Sequence, residues 1–251
     1  VLRIEWPVPI LAVRVQVGGQ EVPSLASGSQ ARTVVLIGID LEQPPGLVLV
    51  QVSALDPGSR TVTAEAAIHV LDAQYPLQRL TLPPAFMELD APTLERVNRE
   101  KELLDRLWET QTPERLWNGP FRIPLDAAGP PVGFGRRRII NGEPRAPHTG
   151  ADFSARAGAP VFASNGGVVV IVEEHFFAGK SIVLDHGLGL YTMYFHLQES
   201  LVQPGQRVAN GQLIARVGST GRSTGPHLHW GARLHGARID PTELLRLLAL
   251  D

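Results

Sequence analysis

The sequence predicts a mainly β protein in which two β regions are joined by one helix. Three observations carry that reading: short runs of alternating apolar and polar residues in the first third, a 3.6-residue apolar period near the middle, and strand-like runs rich in glycine after it. The expected boundaries are a small β-sandwich over residues 1–88, a helical connection over 89–119, and an antiparallel β-sheet domain with a groove over 120–251.

Taken in order, the stretches 11–17, 47–52 and 61–65 alternate apolar and polar residues, each bounded by Gly, Pro, Asp or Ser. Short strands at that spacing suit a small β-sandwich, and Pro83-Pro84 closes the segment. From Pro92 to about Thr110 the period changes. Leu94, Val97, Leu103, Leu104, Leu107 and Trp108 fall on one face of a helix rich in Glu and Arg, with Asp90 or Thr93 as its N-cap. This helix is expected to connect two domains and to pack Trp108 or Trp117 against one of them. Beyond Phe121 the stretches 168–172, 181–184, 190–197 and 213–217 read as strands, and only the end, from Pro241 to Leu248, reads as helical again.

Composition removes several function classes. The formal charge of −2 offers no basic surface for a polyanion, so nucleic acid is excluded as a partner. With no cysteine, any metal site must be built from histidine and carboxylate. No apolar stretch approaches the roughly 20 residues that cross a bilayer, and Val1 to Trp6 has neither the basic flank nor the apolar run of a signal peptide. The chain opens on Val1 rather than Met, which reads as a mature or trimmed chain and leaves room for a secretion signal or membrane anchor ahead of it.

Three clusters carry chemistry: His148-Thr149-Gly150-Ala151-Asp152, Tyr194-Phe195-His196-Leu197, and Gly225-Pro226-His227-Leu228-His229-Trp230. Alternate side chains of a strand share a face, so His227 and His229 line one side about 7 Å apart while Leu228 enters the packing on the other. The same parity places His196 with Thr192 and Tyr194, away from an apolar layer of Tyr191, Met193, Phe195 and Leu197. His148 and Asp152, four apart, align on extended chain or helix alike, and Pro147 and Gly150 favour extended chain. Two histidines and one aspartate, with a fourth position left to water, suit a catalytic zinc site. A lone His-x-x-x-Asp arises often by chance. Its value here comes from standing before a third histidine and a His-x-His in one glycine-rich β region. His69, His175, His186 and His235 are read as structural.

These residues sit in text that resembles the lysostaphin-type, or LytM-like, zinc endopeptidases from about Phe121 to Leu245. The matching words include Phe134-Gly135-x-Arg137-Arg138, His148-x-Gly150-x-Asp152, Gly158-x-Pro160-Val161-x-Ala163, Asp185-His186-Gly187, Tyr194-x-His196-Leu197, and Gly218-x-Thr220-Gly221-x-x-Thr224-Gly225-Pro226-His227-Leu228-His229. The resemblance implies one zinc ion (Zn2+) per chain held by His148, Asp152 and His229, with His196 and His227 as catalytic residues that orient water, move its proton and stabilise the oxyanion. The division of labour between those two stays open. It also implies a hydrolase of peptide cross-links in peptidoglycan stem peptides, placed in the periplasm or cell envelope.

The front portion resembles the N-terminal module of Gram-negative-type relatives through Gly38-Ile39-Asp40, Pro45-Gly46 and Thr81-Leu82-Pro83. That likeness implies an accessory domain that positions the enzyme, binds a regulatory protein or blocks the groove; a structural spacer is the plain alternative. Two other functions remain at this point. One is a non-catalytic wall-associated binding or activator protein, as in relatives that have lost ligands, although all five positions are filled here. The other is a zinc peptidase that cuts glycine-rich segments.

Overall fold

In the computed structural model, residues 1–25, 31–81, 89–126 and 129–247 are described. The chain divides into two compact units, Val1–Ala73 and a second that begins at Gln74. Among the described residues no helix is long and apolar enough to cross a membrane.

The first unit is built from seven strands: β1 (Leu2–Glu5), β2 (Ala12–Val17), β3 (Gln20–Val22), β4 (Ser24–Leu25), β5 (Arg32–Val35), β6 (Gly46–Leu55) and β7 (Thr61–Val70). They form a three-stranded sheet in the order β1-β5-β4 and a four-stranded sheet in the order β3-β2-β6-β7. Val15, Val50, Val52 and Ala54 from the larger sheet meet Val35 from the smaller one, together with Trp6 and Ile10. This is the sandwich core that the alternation predicts. Trp6 has a polar edge, and its indole N–H donates to Thr33 Oγ1 at 3.0 Å, which removes the cost of burying it unpaired. The Pro83-Pro84 stop lies outside the described residues.

The second unit opens with β8 (Leu77–Leu80) and helix α1 (Ala91–Glu109). Asp90 caps the helix by accepting from the Thr93 amide at 2.9 Å. The apolar stripe is only partly used, with Leu94 and Leu103 exposed and Trp108 buried. Trp108 packs on Ile171, Val183, Tyr191 and Met193, its ring edge-on to Tyr191 with centroids 5.4 Å apart. The Arg233 guanidinium covers it at 4.8 Å.

There follow β9 (Arg137–Ile140), β10 (Glu143–Arg145), β11 (Gly150–Ser154), β12 (Pro160–Phe162), β13 (Gly167–His175), β14 (Gly179–Asp185), β15 (Leu190–Ser200), β16 (Arg207–Val208), β17 (Leu213–Val217), β18 (His227–Leu234) and β19 (Ala237–Ile239). A short 3₁₀ helix, Pro241–Arg246, stands where helix is expected from Pro241 to Leu248; Leu248 lies outside the described residues. The main sheet runs β11-β18-β15-β14-β13-β16, all antiparallel neighbours, while β10-β9-β8 form a separate small sheet.

One face of the main sheet carries Trp230, Tyr194, Phe153 and Leu228, all essentially inaccessible to solvent. On that face His186 is fully buried, its Nδ1–H donating to the Gly166 carbonyl at 2.7 Å and its Nε2 2.7 Å from Thr192 Oγ1. Burial pushes this imidazole down to about 4, against help from the Gly166 carbonyl and the charge of Asp185. The other face receives α1.

Two outcomes follow from this packing. Trp108→Ala should destabilise the second unit by about 3–5 kcal/mol, the usual cost of emptying a buried aromatic site; denaturant unfolding checks it, and a loss under about 1 kcal/mol would mean that α1 is not anchored there. His186 is held neutral below its unfolded pKa, so its contribution to stability is complete above about 6.5 and is lost as pH falls toward 4. Melting temperatures between those pH values should therefore fall more steeply for the wild type than for His186→Gln, and parallel slopes would contradict this.

Candidate metal centre

The pairing of β11 with β18 sets the site. Asp152 stands directly opposite His229 in the antiparallel ladder, and His229 in turn stands opposite Phe195 of β15. Directly paired residues project to the same side, so Asp152, His229 and Phe195 share a face. Phe195 stacks parallel on the His229 ring, centroids 5.4 Å apart. His148 precedes β11 by two residues and is clamped by the preceding loop: its amide donates to the Arg136 carbonyl at 3.0 Å and its own carbonyl accepts from the Gly135 amide at 2.9 Å.

The outcome is a tight triangle. His229 Nδ1 lies 3.0 Å from Asp152 Oδ1 and 3.1 Å from His148 Nε2, and His148 Nε2 lies 3.2 Å from Asp152 Oδ1. Among the described residues these three form the group able to hold a metal ion. Zinc–ligand bonds of about 2.0–2.1 Å in a tetrahedron place ligand atoms roughly 3.3 Å apart, so nitrogen, nitrogen and oxygen stand at the spacing such an ion requires. Burial works to raise the Asp152 carboxyl, but hydrogen bonds and charge from His148 and His229 win and hold it well below the usual carboxylate range. His229 is pushed down by burial. His148 Nδ1 is buried without a hydrogen-bond partner in the described structure, against Gly133.

Glycine makes the triangle possible. A Cβ on Gly150 would stand 2.5 Å from His229 Nε2 and 2.5 Å from the Trp230 carbonyl oxygen, so the imidazole occupies the space that a side chain would take.

The other two predicted histidines flank the triangle. His227 Nε2 is 3.9 Å from Asp152 Oδ1, and the His196 and His227 rings are 4.6 Å apart. His196 Nδ1 is 2.9 Å from the Thr220 carbonyl and His227 Nδ1 is 2.8 Å from the Gly225 carbonyl. A carbonyl can only accept, so both Nδ1 atoms carry a proton, and each ring, when neutral, presents a bare Nε2. Burial pushes His196 down to about 4, opposed by the Thr220 carbonyl and reinforced by His227 and His229, which keeps it neutral.

His196 reaches this face by a route that strand parity does not give. Alternation places it with Thr192 and Tyr194, but those side chains are fully buried on the far face, while Met193 and Phe195 lie on the site face. At His196 the backbone is left-handed, φ 60°, and the β14–β15 register slips by one residue. This bulge returns the imidazole to the side of His229, with ring centroids 6.1 Å apart. Phe195, Gly150, Thr220 and Gly225 border these five residues: pattern reading used Phe195 only as apolar packing and Gly150 only as a sign of extended chain, and Thr220 and Gly225 stand in the quoted motifs as unexplained letters. Of the remaining histidines, His186 and His235 bind backbone carbonyls elsewhere, and His175 is buried beside a cavity of about 370 Å³ between α1 and the sheet. Thr149 and Phe195 also line that cavity, so it opens beside the centre.

Known proteins resemble the stretch of chain that carries this geometry. Residues 146–241 match Peptidase family M23, a stretch that contains all five residues. The peptidoglycan DD-endopeptidase ShyA of Vibrio cholerae serotype O1 is 45% identical over 95 residues, 38% of this chain and 22% of that protein. ShyB of the same organism, also a peptidoglycan DD-endopeptidase, is 39% identical over 131 residues, 51% of this chain and 30% of that protein. The chain thus spans less than a third of the length of either relative. A crystal structure assigned to peptidase M23 from Pseudomonas aeruginosa aligns with a TM-score of 0.73 and 26% identity over 97% of this chain and 92% of that one. The chain therefore contains a LytM-like domain of peptidase family M23.

Proposed function

We propose that this protein is a zinc-dependent endopeptidase of the cell envelope that hydrolyses peptide cross-links in bacterial peptidoglycan. The observation that carries the reading is the convergence of His148 Nε2, Asp152 Oδ1 and His229 Nδ1 at 3.0–3.2 Å beside two imidazoles with bare Nε2 atoms. Relatives that are peptidoglycan DD-endopeptidases support the substrate class.

In this proposal His148, Asp152 and His229 hold one zinc ion. Zinc bound there supplies Lewis acidity, which makes water more acidic and polarises the scissile carbonyl. The chain's own residues do the proton work. Nε2 of His196 or His227 accepts the proton of the attacking water, and the protonated ring then donates to the oxyanion and to the departing amine. The Thr220 and Gly225 carbonyls keep the protons on Nδ1, fix both ring orientations, and favour each ring once it becomes cationic. Phe195 and α1 wall the face on which this happens. Peptidoglycan lies outside the cytoplasm, so the proposed location is periplasm or cell surface. The proposed division of labour puts an accessory, partner-binding role in residues 1–88, a connection at 89–119, and the peptidase at 120–251.

Digestion of diaminopimelate-type peptidoglycan should release uncrosslinked stem peptides, seen by mass spectrometry, with the protein as isolated and after zinc restoration but not after chelation. His227→Ala should keep its zinc and lose roughly 10²–10⁴-fold in rate, the scale of general acid–base catalysis. No cleavage under any condition would leave a wall-binding or activator role instead. Gly150→Ala, which forces the His229 ring aside, should weaken zinc binding by about 10–100-fold, the scale seen when a ligand loses its support. Unchanged affinity would show that His229 is not a ligand.

A further inference from the structure

Three arginines lie on the two chain segments that adjoin the metal centre. Arg138 of β9 and Arg145 of β10 are directly paired across their hairpin. Their side chains share one face, with Cβ atoms about 4.5–5.5 Å apart, where like charges repel. The hairpin ends three residues before His148. Arg138 Nε is buried and makes no hydrogen bond in the described structure. The third, Arg222, belongs to the turn between β17 and β18. It is fixed there by its amide, which donates to the Phe177 carbonyl at 2.9 Å, and by its guanidinium, 4.3 Å from the Phe177 ring. The same turn supplies the Thr220 and Gly225 carbonyls that orient His196 and His227.

The three cations feel one another: partial burial, then the charges of Arg138 and Arg145, push the Arg222 guanidinium below its ordinary range. Among the described residues none of the three has a carboxylate partner to offset the others' charge. Repulsion between like charges from two chain segments costs stability unless an anion sits among them.

The geometry points to an anion subsite beside the metal centre, formed by Arg138, Arg145 and Arg222, that takes a free carboxylate of the peptide substrate. This rests on the peptidoglycan reading above, because stem peptides carry free carboxylates. A planar guanidinium fork matches carboxylate geometry. The hairpin of Arg138 and Arg145 runs directly into His148, and the turn of Arg222 holds His196 and His227, so a peptide with its scissile bond at the triangle meets both segments. The subsite would position the substrate and select for charge, leaving the chemistry to the histidines.

Calorimetric titration of the zinc-loaded protein with an uncrosslinked stem peptide, carboxylates free or amidated, tests this without turnover. Amidation should weaken wild-type binding by roughly tenfold, the scale of one charge-assisted hydrogen bond. That ratio should fall toward one in Arg145→Gln and Arg222→Gln, with Arg145→Lys intermediate. Arg145 is exposed, so its variant should melt as the wild type does. For the matching cross-linked peptides, amidation should raise KM far more than it lowers kcat. Equal wild-type binding of the two peptides, or equal weakening of both in the arginine variants, would overturn the subsite. Inorganic phosphate binding as tightly as the free-carboxylate peptide would overturn the peptide assignment. Failure of the peptidase reading shows separately, as no cleavage of either cross-linked peptide by the wild type.

Discussion

Three lone-pair atoms held within 3.0–3.2 Å of one another are the constraint around which the second unit is arranged. A carboxylate oxygen and two imidazole nitrogens at that spacing are unfavourable unless a shared proton or a cation sits among them. They are forced together by backbone register, since Asp152 and His229 are opposite each other in a ladder whose other face is locked by Trp230, Phe153 and Leu228. A one-residue slip of β18 would send His227 and His229 into the core and Leu228 into the cleft. The buried face therefore fixes the metal face, and the fold's packing energy maintains the site's geometry.

Much of this was legible from pattern. The His-x-His parity at 227 and 229, the extended His148-to-Asp152 spacing, and helix α1 with its Asp90 cap all follow from local rules, and the structure has them. His196 shows where those rules stop. Strand alternation sends it to the far face, and a left-handed residue in a one-residue bulge brings it back. Histidine carries no sequence mark for that conformation. The carbonyls of Thr220 and Gly225 are equally silent, because backbone atoms hold the imidazoles and the side-chain letters report only the turn that presents them.

Helix α1 illustrates a second limit. Periodicity identifies its apolar stripe from Leu94 to Trp108 but not which half is used. Packing engages Trp108 on Tyr191 and Met193, the same sheet face that carries Phe195 and His229, and leaves Leu94 and Leu103 exposed. The helix is thus part of the surroundings of the centre. In the first unit, the alternating runs at 11–17, 47–52 and 61–65 correspond to β2, β6 and β7, and the apolar half of β2 and β6 makes the sandwich core. Long-range pairing of β5 with β1 and β4 is not written in any local run and emerges only from closing that core.

The triangle of His148, Asp152 and His229 is proposed as a zinc site, and everything said of the reaction depends on it. Anomalous diffraction from crystals of the zinc-loaded protein, recorded on both sides of the zinc absorption edge, tests it most directly. One zinc peak per chain is expected, within bonding distance of His148 Nε2, Asp152 Oδ1 and His229 Nδ1, with no such peak in Asp152→Ala. An absent peak in the wild type, or a peak held by other residues, would contradict it.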